Sequence, residues 1–272
     1  MHFDAYIRPS SEQLATAQEA EERISRLVLE ITDIVACLPV GSMVRGTAIR
    51  RYSDLDLLAV FSEREDKISK PSPSELLAII AWHLRLGVAD IKVHVGTMAI
   101  SLDYPYLPVD VIPALLGDDS GRDEGSYRIP ATDGRQWQSY SHRSQDLLLE
   151  SRESELGPHV KSLIRMIKWW NYRNSNTLTS FGIEQLVCSA FDRSIPAYPE
   201  AIEHIFVAAT QWSVQRRWFA SGDHESMDAL NAAVAVSRAA LQADALNTPS
   251  GIRRAIACWR GLFGDEFSDI FE

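Results

Sequence analysis

Asp54 and Asp56 stand two residues apart in Ser53-Asp-Leu-Asp-Leu-Leu58, in a stretch that reads as a strand. Side chains alternate along a strand, so both carboxylates project to one face. Two carboxylates on one face repel unless a cation lies between them, which makes the pair a cradle for Mg²⁺ (or Mn²⁺). Asp110, in Pro108-Val-Asp-Val-Ile-Pro113, is a lone acid in an apolar strand, where an unpaired charge is expensive. It supplies the third carboxylate that two-metal phosphoryl transfer uses to complete the site and orient the attacking hydroxyl. Gly41-Ser42 precedes Asp54 by about a dozen residues and follows an apolar segment. Gly41 lets the backbone approach a ligand closely, and the Ser42 hydroxyl with nearby amides can hold a phosphate. A Gly-Ser or an Asp-x-Asp alone is commonplace. The combination at this spacing is specific.

A second set of polar residues lies downstream. In Lys161-Ser-Leu-Ile-Arg-Met-Ile-Lys-Trp-Trp-Asn171, spacings of four and three place Lys161, Arg165 and Lys168 along one helix face, opposite Leu163, Ile167 and Trp170. Such a stripe is ordinarily a solvated face, but it is locally unusual in an acidic chain. Ser180, in Thr179-Ser-Phe-Gly-Ile-Glu184, reads as an N-cap, and helix N-termini favour anions. Arg50 and Arg51 flank the acidic motif and read either as contacts for a second substrate or as exposed charges. Trp137, Trp169, Trp170, Trp212, Trp218 and Trp259 read mostly as core, and either Tyr127 or Trp137 is a candidate for stacking on a base. The histidines, His83 and His94 among them, show no ligand spacing.

The elements that must position these groups follow from periodicity. Residues 11–38 show helical spacing from Leu14 to Leu38, opened by a Ser10/Gln13 capping box. Residues 54–61, 91–95 and 106–112 read as strands, with a helix over 74–86 started by Pro71 and Pro73 and stopped by Gly87. The charged, aperiodic stretch 117–125 reads as a loop. Beyond it, helices are predicted over 158–174, 180–191, 200–220, 225–247 and 252–263. The chain thus divides at 1–150 and 151–272, a sheet lobe with an N-terminal helix followed by a helical lobe.

Composition narrows the function classes. The 272 residues carry 27 Lys+Arg against 37 Asp+Glu, a net charge of −10 that disfavours a protein built to grip long nucleic acid by its phosphates. No apolar run reaches the ~20 residues of a membrane span, and the opening residues lack a secretory pattern. Three scattered cysteines predict reduced thiols and no structural zinc, hence a cytoplasmic location.

The pattern Gly41-Ser42, Asp54-Leu-Asp56 and distal Asp110 resembles the nucleotidyltransferase signature of the DNA polymerase β superfamily. Within it, Gly41-Ser42, Arg45-Gly46-Thr47, Ser53-Asp54-Leu55-Asp56 and Val109–Ala114 resemble the 2′-5′-oligoadenylate synthetases and the bacterial cGAS/DncV-like nucleotidyltransferases, or CD-NTases. The resemblance implies an α+β fold, with a polymerase β-like sheet lobe, a helical lobe and the active site in the cleft between them. By it, Asp54 and Asp56 bind both metals and Asp110 the one that activates the acceptor hydroxyl. Leu163-Ile-Arg-x-x-Lys-x-Trp170 is similar to a family helix whose Arg and Lys contact the triphosphate, which assigns Arg165 and Lys168, with Ser180, to the donor phosphates. The implied activity is condensation of NTPs into a cyclic oligonucleotide second messenger for anti-phage signalling, with any effector engaged only through the product. NMP transfer to tRNA, a toxin protein or a small molecule is the alternative chemistry, and an idle nucleotide-binding scaffold the alternative class. The lack of a zinc-binding cluster or large basic surface argues against activation by double-stranded nucleic acid.

Overall fold

A computed structural model describes residues 2–62, 71–116, 126–212 and 224–267 of the chain. It divides into two compact units, one formed by Pro9–Leu147 and the other by Met1–Arg8 with Leu148–Glu272. The first eight residues therefore group with the C-terminal unit, where the sequence reading keeps 1–150 together. The predicted loop at 117–125, and Trp218, lie outside the described residues.

In the unit formed by Pro9–Leu147, helix α2 (Ser11–Leu29) follows the short α1 (His2–Ile7) of the other unit. Ser10 caps α2 through the expected reciprocal box with Gln13. The helix stops at Leu29, nine residues short of the predicted end. Asp33 takes a left-handed φ of 74°, and Ile34–Val40 becomes strand β1. The apolar spacing of 31–38 fits a helix, but the β-branched Ile34, Val35 and Val40 of the 34–40 segment suit a ladder with the next strand. That strand is β2 (Leu55–Phe61), reached through the single turn of helix α3 (Gly41–Arg45). α4 (Pro73–Gly87) starts at Ser72 with its own capping box and ends at the predicted glycine.

The remaining strands are β3 (Val93–Val95), β4 (Ile100–Leu102), β5 (Val109–Leu116), β6 (Ser126–Pro130) and β7 (Trp137–Ser141). The sheet order is β1-β2-β5-β4-β3, with β6 and β7 continuing from the far end of β5. β2 and β5 are parallel neighbours, whereas β1 runs antiparallel to β2. Alternation assigns the two faces. Leu55, Leu57, Ala59, Val109 and Val111 pack with α2 and α4. Leu58, Val60 and Ala114 pack with Tyr127 and Ile129 on the other side. Asp56 and Asp110 fall on this second face by parity.

The second unit is helical: α6 (His159–Arg173), α7 (Ser180–Ser189), α8 (Tyr198–Trp212), α9 (His224–Asp244) and α10 (Pro249–Phe263), preceded by α5 (His142–Leu156), within which the division falls. α6 is buried almost all round, with Val160, Leu163, Ile164, Ile167 and Trp170 sealed from solvent. α1 docks here, Phe3 packing on Trp169 and Phe263. Its Asp4 receives two bonds from Arg165, Nε to Oδ1 at 2.7 Å and Nη2 to Oδ2 at 2.9 Å, and another from Ser162 Oγ at 3.0 Å. Arg8 pairs with the same carboxylate.

Burial by itself would raise the pKa of Asp4, but the bonds and charges of Arg165 and Arg8 outweigh it and hold the carboxyl below its ordinary 3.8. A depressed folded pKa stabilises above the unfolded value and is lost as pH falls through the folded one. Asp4→Asn, which takes the carboxylate charge away from the buried Arg165 guanidinium, should destabilise the chain by about 3 kcal/mol or more at pH 7. In chemical denaturation the gap from the parent should narrow as pH drops below about 4. A gap independent of pH would mean that the carboxylate charge is not what Arg165 needs.

Candidate active site

The parallel register pairs Asp56 with Asp110 directly across β2 and β5. Asp54 lies just before β2 rather than on it, and the chain between it and the buried Thr47–Ile49 segment is latched. Ile49 N–H donates to Ser53 Oγ at 2.9 Å, and Ser53 N–H returns a bond to Ile49 O at 3.2 Å. Leu55 N–H donates to Pro108 O at 2.9 Å, which ties the start of β2 to the segment leading into β5. These bonds bring one oxygen from each of Asp54, Asp56 and Asp110 within 4.8 Å of one another. Among the described residues this is the only cluster of acid, histidine or cysteine side chains with metal-holding geometry.

All three acids are half-buried, so Asp110 is not a sealed, isolated charge as its apolar strand suggests. The expense is mutual repulsion. Two unit charges 4.8 Å apart repel by roughly 3 kcal/mol at an effective dielectric of ~20. A hard divalent cation with oxygen ligands relieves it, and three carboxylates without nitrogen or sulfur donors suit Mg²⁺ or Mn²⁺.

Gly41 closes the site from β1. Its φ is +81°, and a Cβ there would lie 2.1 Å from Asp56 Oδ2. Both the backbone conformation and the contact demand glycine. Ser42 is half-buried at the start of α3, and its carbonyl accepts the N–H of Thr47 at 2.9 Å. Arg45, from the same turn, pairs with Asp146 at 3.8 Å. Tyr140 feels Arg45, Asp56 and Asp146, and its phenol is pushed up first by burial and further by the two acids. Asp146 and Tyr140 lie far from the motif in sequence, and no local spacing announces them.

The other predicted site residues belong to the helical unit or to packing. Arg165 is 4% exposed and paired with Asp4, and Lys168 is 5% exposed with Nζ 2.8 Å from Glu184 Oε1. Lys161 is less buried and pairs with Glu153. The three cations thus do not share a solvated stripe. Each is met by a carboxylate that the helix's own spacing does not reveal. Thr179, not Ser180, caps α7, its Oγ accepting from Gly182 N–H at 3.0 Å, and Ser180 is exposed in the first turn. Both residues are cap-competent, so sequence leaves the boundary one residue uncertain. Tyr127 stacks on His142, and Trp137 donates to Pro71 O at 3.2 Å, so both rings are engaged within the fold.

No family model matches the chain. It is 24% identical over 277 aligned positions to a probable cyclic nucleotide synthase of Bacillus cereus, covering 84% of this chain and 80% of that protein. It is 27% identical over 188 positions to the cyclic AMP-AMP-AMP synthase of Escherichia coli, covering 62% of this chain and 54% of that one. The Bradyrhizobium diazoefficiens CD-NTase CdnG, solved in complex with GTP, superposes with a TM-score of 0.72 at 14% identity, over 99% of this chain and 95% of that one. The chain has the fold of the CD-NTases, an α+β architecture, as the family resemblance implied. No helix of the described residues is long and apolar enough to cross a membrane.

Gly41→Ala tests the closest contact in the site. Displacement of Asp56 by its own neighbour should cut NTP turnover by about 100-fold, since misplacement by ~1 Å has that effect. A variant that turns over at the parental rate would show that Asp56 is not held where the reaction needs it.

Proposed function

We propose that this CD-NTase-like chain is a nucleotidyltransferase that condenses NTPs into a cyclic oligonucleotide with release of pyrophosphate. One observation carries the chemistry. Asp54, Asp56 and Asp110 converge at the mouth of two parallel strands, with Gly41 pressed against Asp56. The choice of product rests on the likeness to cyclic nucleotide synthases.

Asp54, Asp56 and Asp110 would hold Mg²⁺ or Mn²⁺, which neutralises phosphate charge and sharpens the nucleophile. The chain's own groups do the rest. Gly41 and Ser42 set the donor phosphates against the acids, because a residue without a Cβ lets the Asp56 carboxylate lie directly against that turn. The acceptor hydroxyl approaches Asp110, which orients it and draws off its proton. A bond forms from that oxygen to the donor α-phosphorus while the bond to pyrophosphate breaks. A linear intermediate keeps its 5′-triphosphate and can serve as the next donor at the same acids, so one site suffices for ring closure.

Ser180, exposed in the first turn of α7, remains a phosphate contact in this reading. Arg165 and Lys168 enter it chiefly as residues that hold the helical unit's core, since a buried carboxylate matches each charge. Phosphate contact by either would use donors beyond those pairs. The product acts on a downstream effector, and the chain itself binds no long nucleic acid.

Incubation with labelled NTPs and Mn²⁺ followed by phosphatase should leave resistant label, with a mass lacking any terminal phosphate. Asp54→Asn with Asp56→Asn should abolish it. A ladder of linear oligomers, or label transferred to protein or tRNA, would remove the cyclase reading. Lys168→Met separates the two roles of the lysine. A loss of about 3 kcal/mol in stability at unchanged NTP affinity is expected when the buried Glu184 carboxylate loses its ammonium. Weaker NTP binding at full stability would make Lys168 a phosphate clamp instead.

A further inference from the structure

A cavity of about 540 Å³ opens in the Pro9–Leu147 unit, between the start of α2, the loop at Arg50 and Arg51, and the Tyr104–Pro108 segment ahead of β5. That size falls within the ~300–1,000 Å³ typical of small-molecule sites. It lies at the same strand ends as the three acids, since the Pro108 carbonyl in its wall accepts Leu55 N–H. It occupies the other face of the sheet. Leu107, which lines it, belongs to the core with α2 and α4, whereas Asp56 and Asp110 share by strand parity the opposite face with Leu58 and Ala114.

Backbone conformation singles this cavity out. Six non-glycine residues among those described have positive φ, and Asp33, Ser175, Asn176 and Asn247 are small polar types. Asp and Asn tolerate that region best, and single residues there are unremarkable. The other two are long or bulky, Arg51 at 69° and Tyr106 at 67°, and both line the cavity. A left-handed backbone would suit glycine at either position. The strained sites instead carry a guanidinium and a phenol ring that is 70% exposed. Tyr104 adds a buried hydroxyl. It sits beside the Arg23 guanidinium. The charged lining is Arg50, Arg51 and Glu12, a single net positive charge in a chain of net −10.

We propose that this cavity is a nucleotide-binding site distinct from the three acids, taking a nucleoside monophosphate or a phosphodiester. Arg50 and Arg51 grip the phosphate, two of whose tetrahedrally arranged oxygens can pair with the planar fork of a guanidinium. Tyr106 offers its exposed ring to the base, and Glu12 accepts from a ribose hydroxyl or an exocyclic amine. The single net charge of the lining fits one phosphate rather than a triphosphate. The site also adjoins the catalytic frame, because Arg50 and Arg51 fall within the 49–53 loop that Ser53 latches immediately before Asp54.

Equilibrium dialysis of the full chain with AMP tests it, with Mg²⁺ and a saturating non-hydrolysable ATP analogue present to fill the site at the acids. One equivalent of AMP should still bind. Arg51→Gly and Tyr106→Gly, which suit their backbone conformations, should each weaken it about tenfold while melting no lower than the parent. Displacement of AMP by the analogue would place it at the acids and overturn the proposal. So would AMP affinity unchanged in both variants, or inorganic phosphate competing as well as AMP. None of these readouts requires turnover, so a chain that failed to make a cyclic product could still show this site.

Discussion

Asp56 and Asp110 face each other on adjacent parallel strands, and like charges in that position push the strands apart unless something holds them. The neighbouring register is continuous from Leu55–Val109 to Phe61–Leu115 and almost wholly buried, which fixes the pair against repulsion. Everything around the site serves the same constraint. The Ile49–Ser53 latch delivers Asp54 to the strand mouth, and β1 ends at Val40 opposite Asp56 so that Gly41 can turn away without a side chain. The hydrophobic sheet supplies the rigidity, and the three carboxylates use it to stay where a hard cation can bridge them.

The helical unit solves a different electrostatic problem. α6 carries Arg165 and Lys168 into an apolar core, where a lone cation would cost several kcal/mol. Asp4 and Glu184 meet them from α1 and α7, at separations of 161 and 16 residues. A buried pair of this kind adds little net stability over a hydrophobic one, but it strongly penalises any packing that separates the partners. It thereby specifies how α1 and α7 dock on α6.

These two problems differ in how far sequence discloses them. The acids are legible because the chemistry forces a short spacing, Asp-x-Asp, and the strand period places Asp56 and Asp110 on one face, although Asp54 itself lies just ahead of β2. The capping boxes at Ser10 and Ser72 were legible for the same reason, being local. α2 was read too long because Ile31, Ile34, Val35 and Leu38 continue its apolar rhythm while the backbone has already reversed at Asp33. Sheet pairing with β2 decided that segment, and periodicity within it does not record a partner. Likewise the helical spacing puts Arg165 and Lys168 on one face and the family resemblance assigns them to donor phosphates, but nothing near them in sequence names Asp4 or Glu184 as the carboxylates that meet them. The positive φ at Arg51 and Tyr106 leaves no trace in residue type at all, because neither is a residue that signals it.

The central claim is that Asp54, Asp56 and Asp110 form one cation site, and titration with Mn²⁺ followed by electron paramagnetic resonance measures it without reference to any product. The free-ion signal should be quenched saturably by the native chain. Asp110→Asn should bind at least about tenfold more weakly, because affinity follows the number of charged ligands. Undiminished Mn²⁺ binding by Asp110→Asn, with its fold intact, would contradict the shared site and separate the β5 acid from the pair at β2.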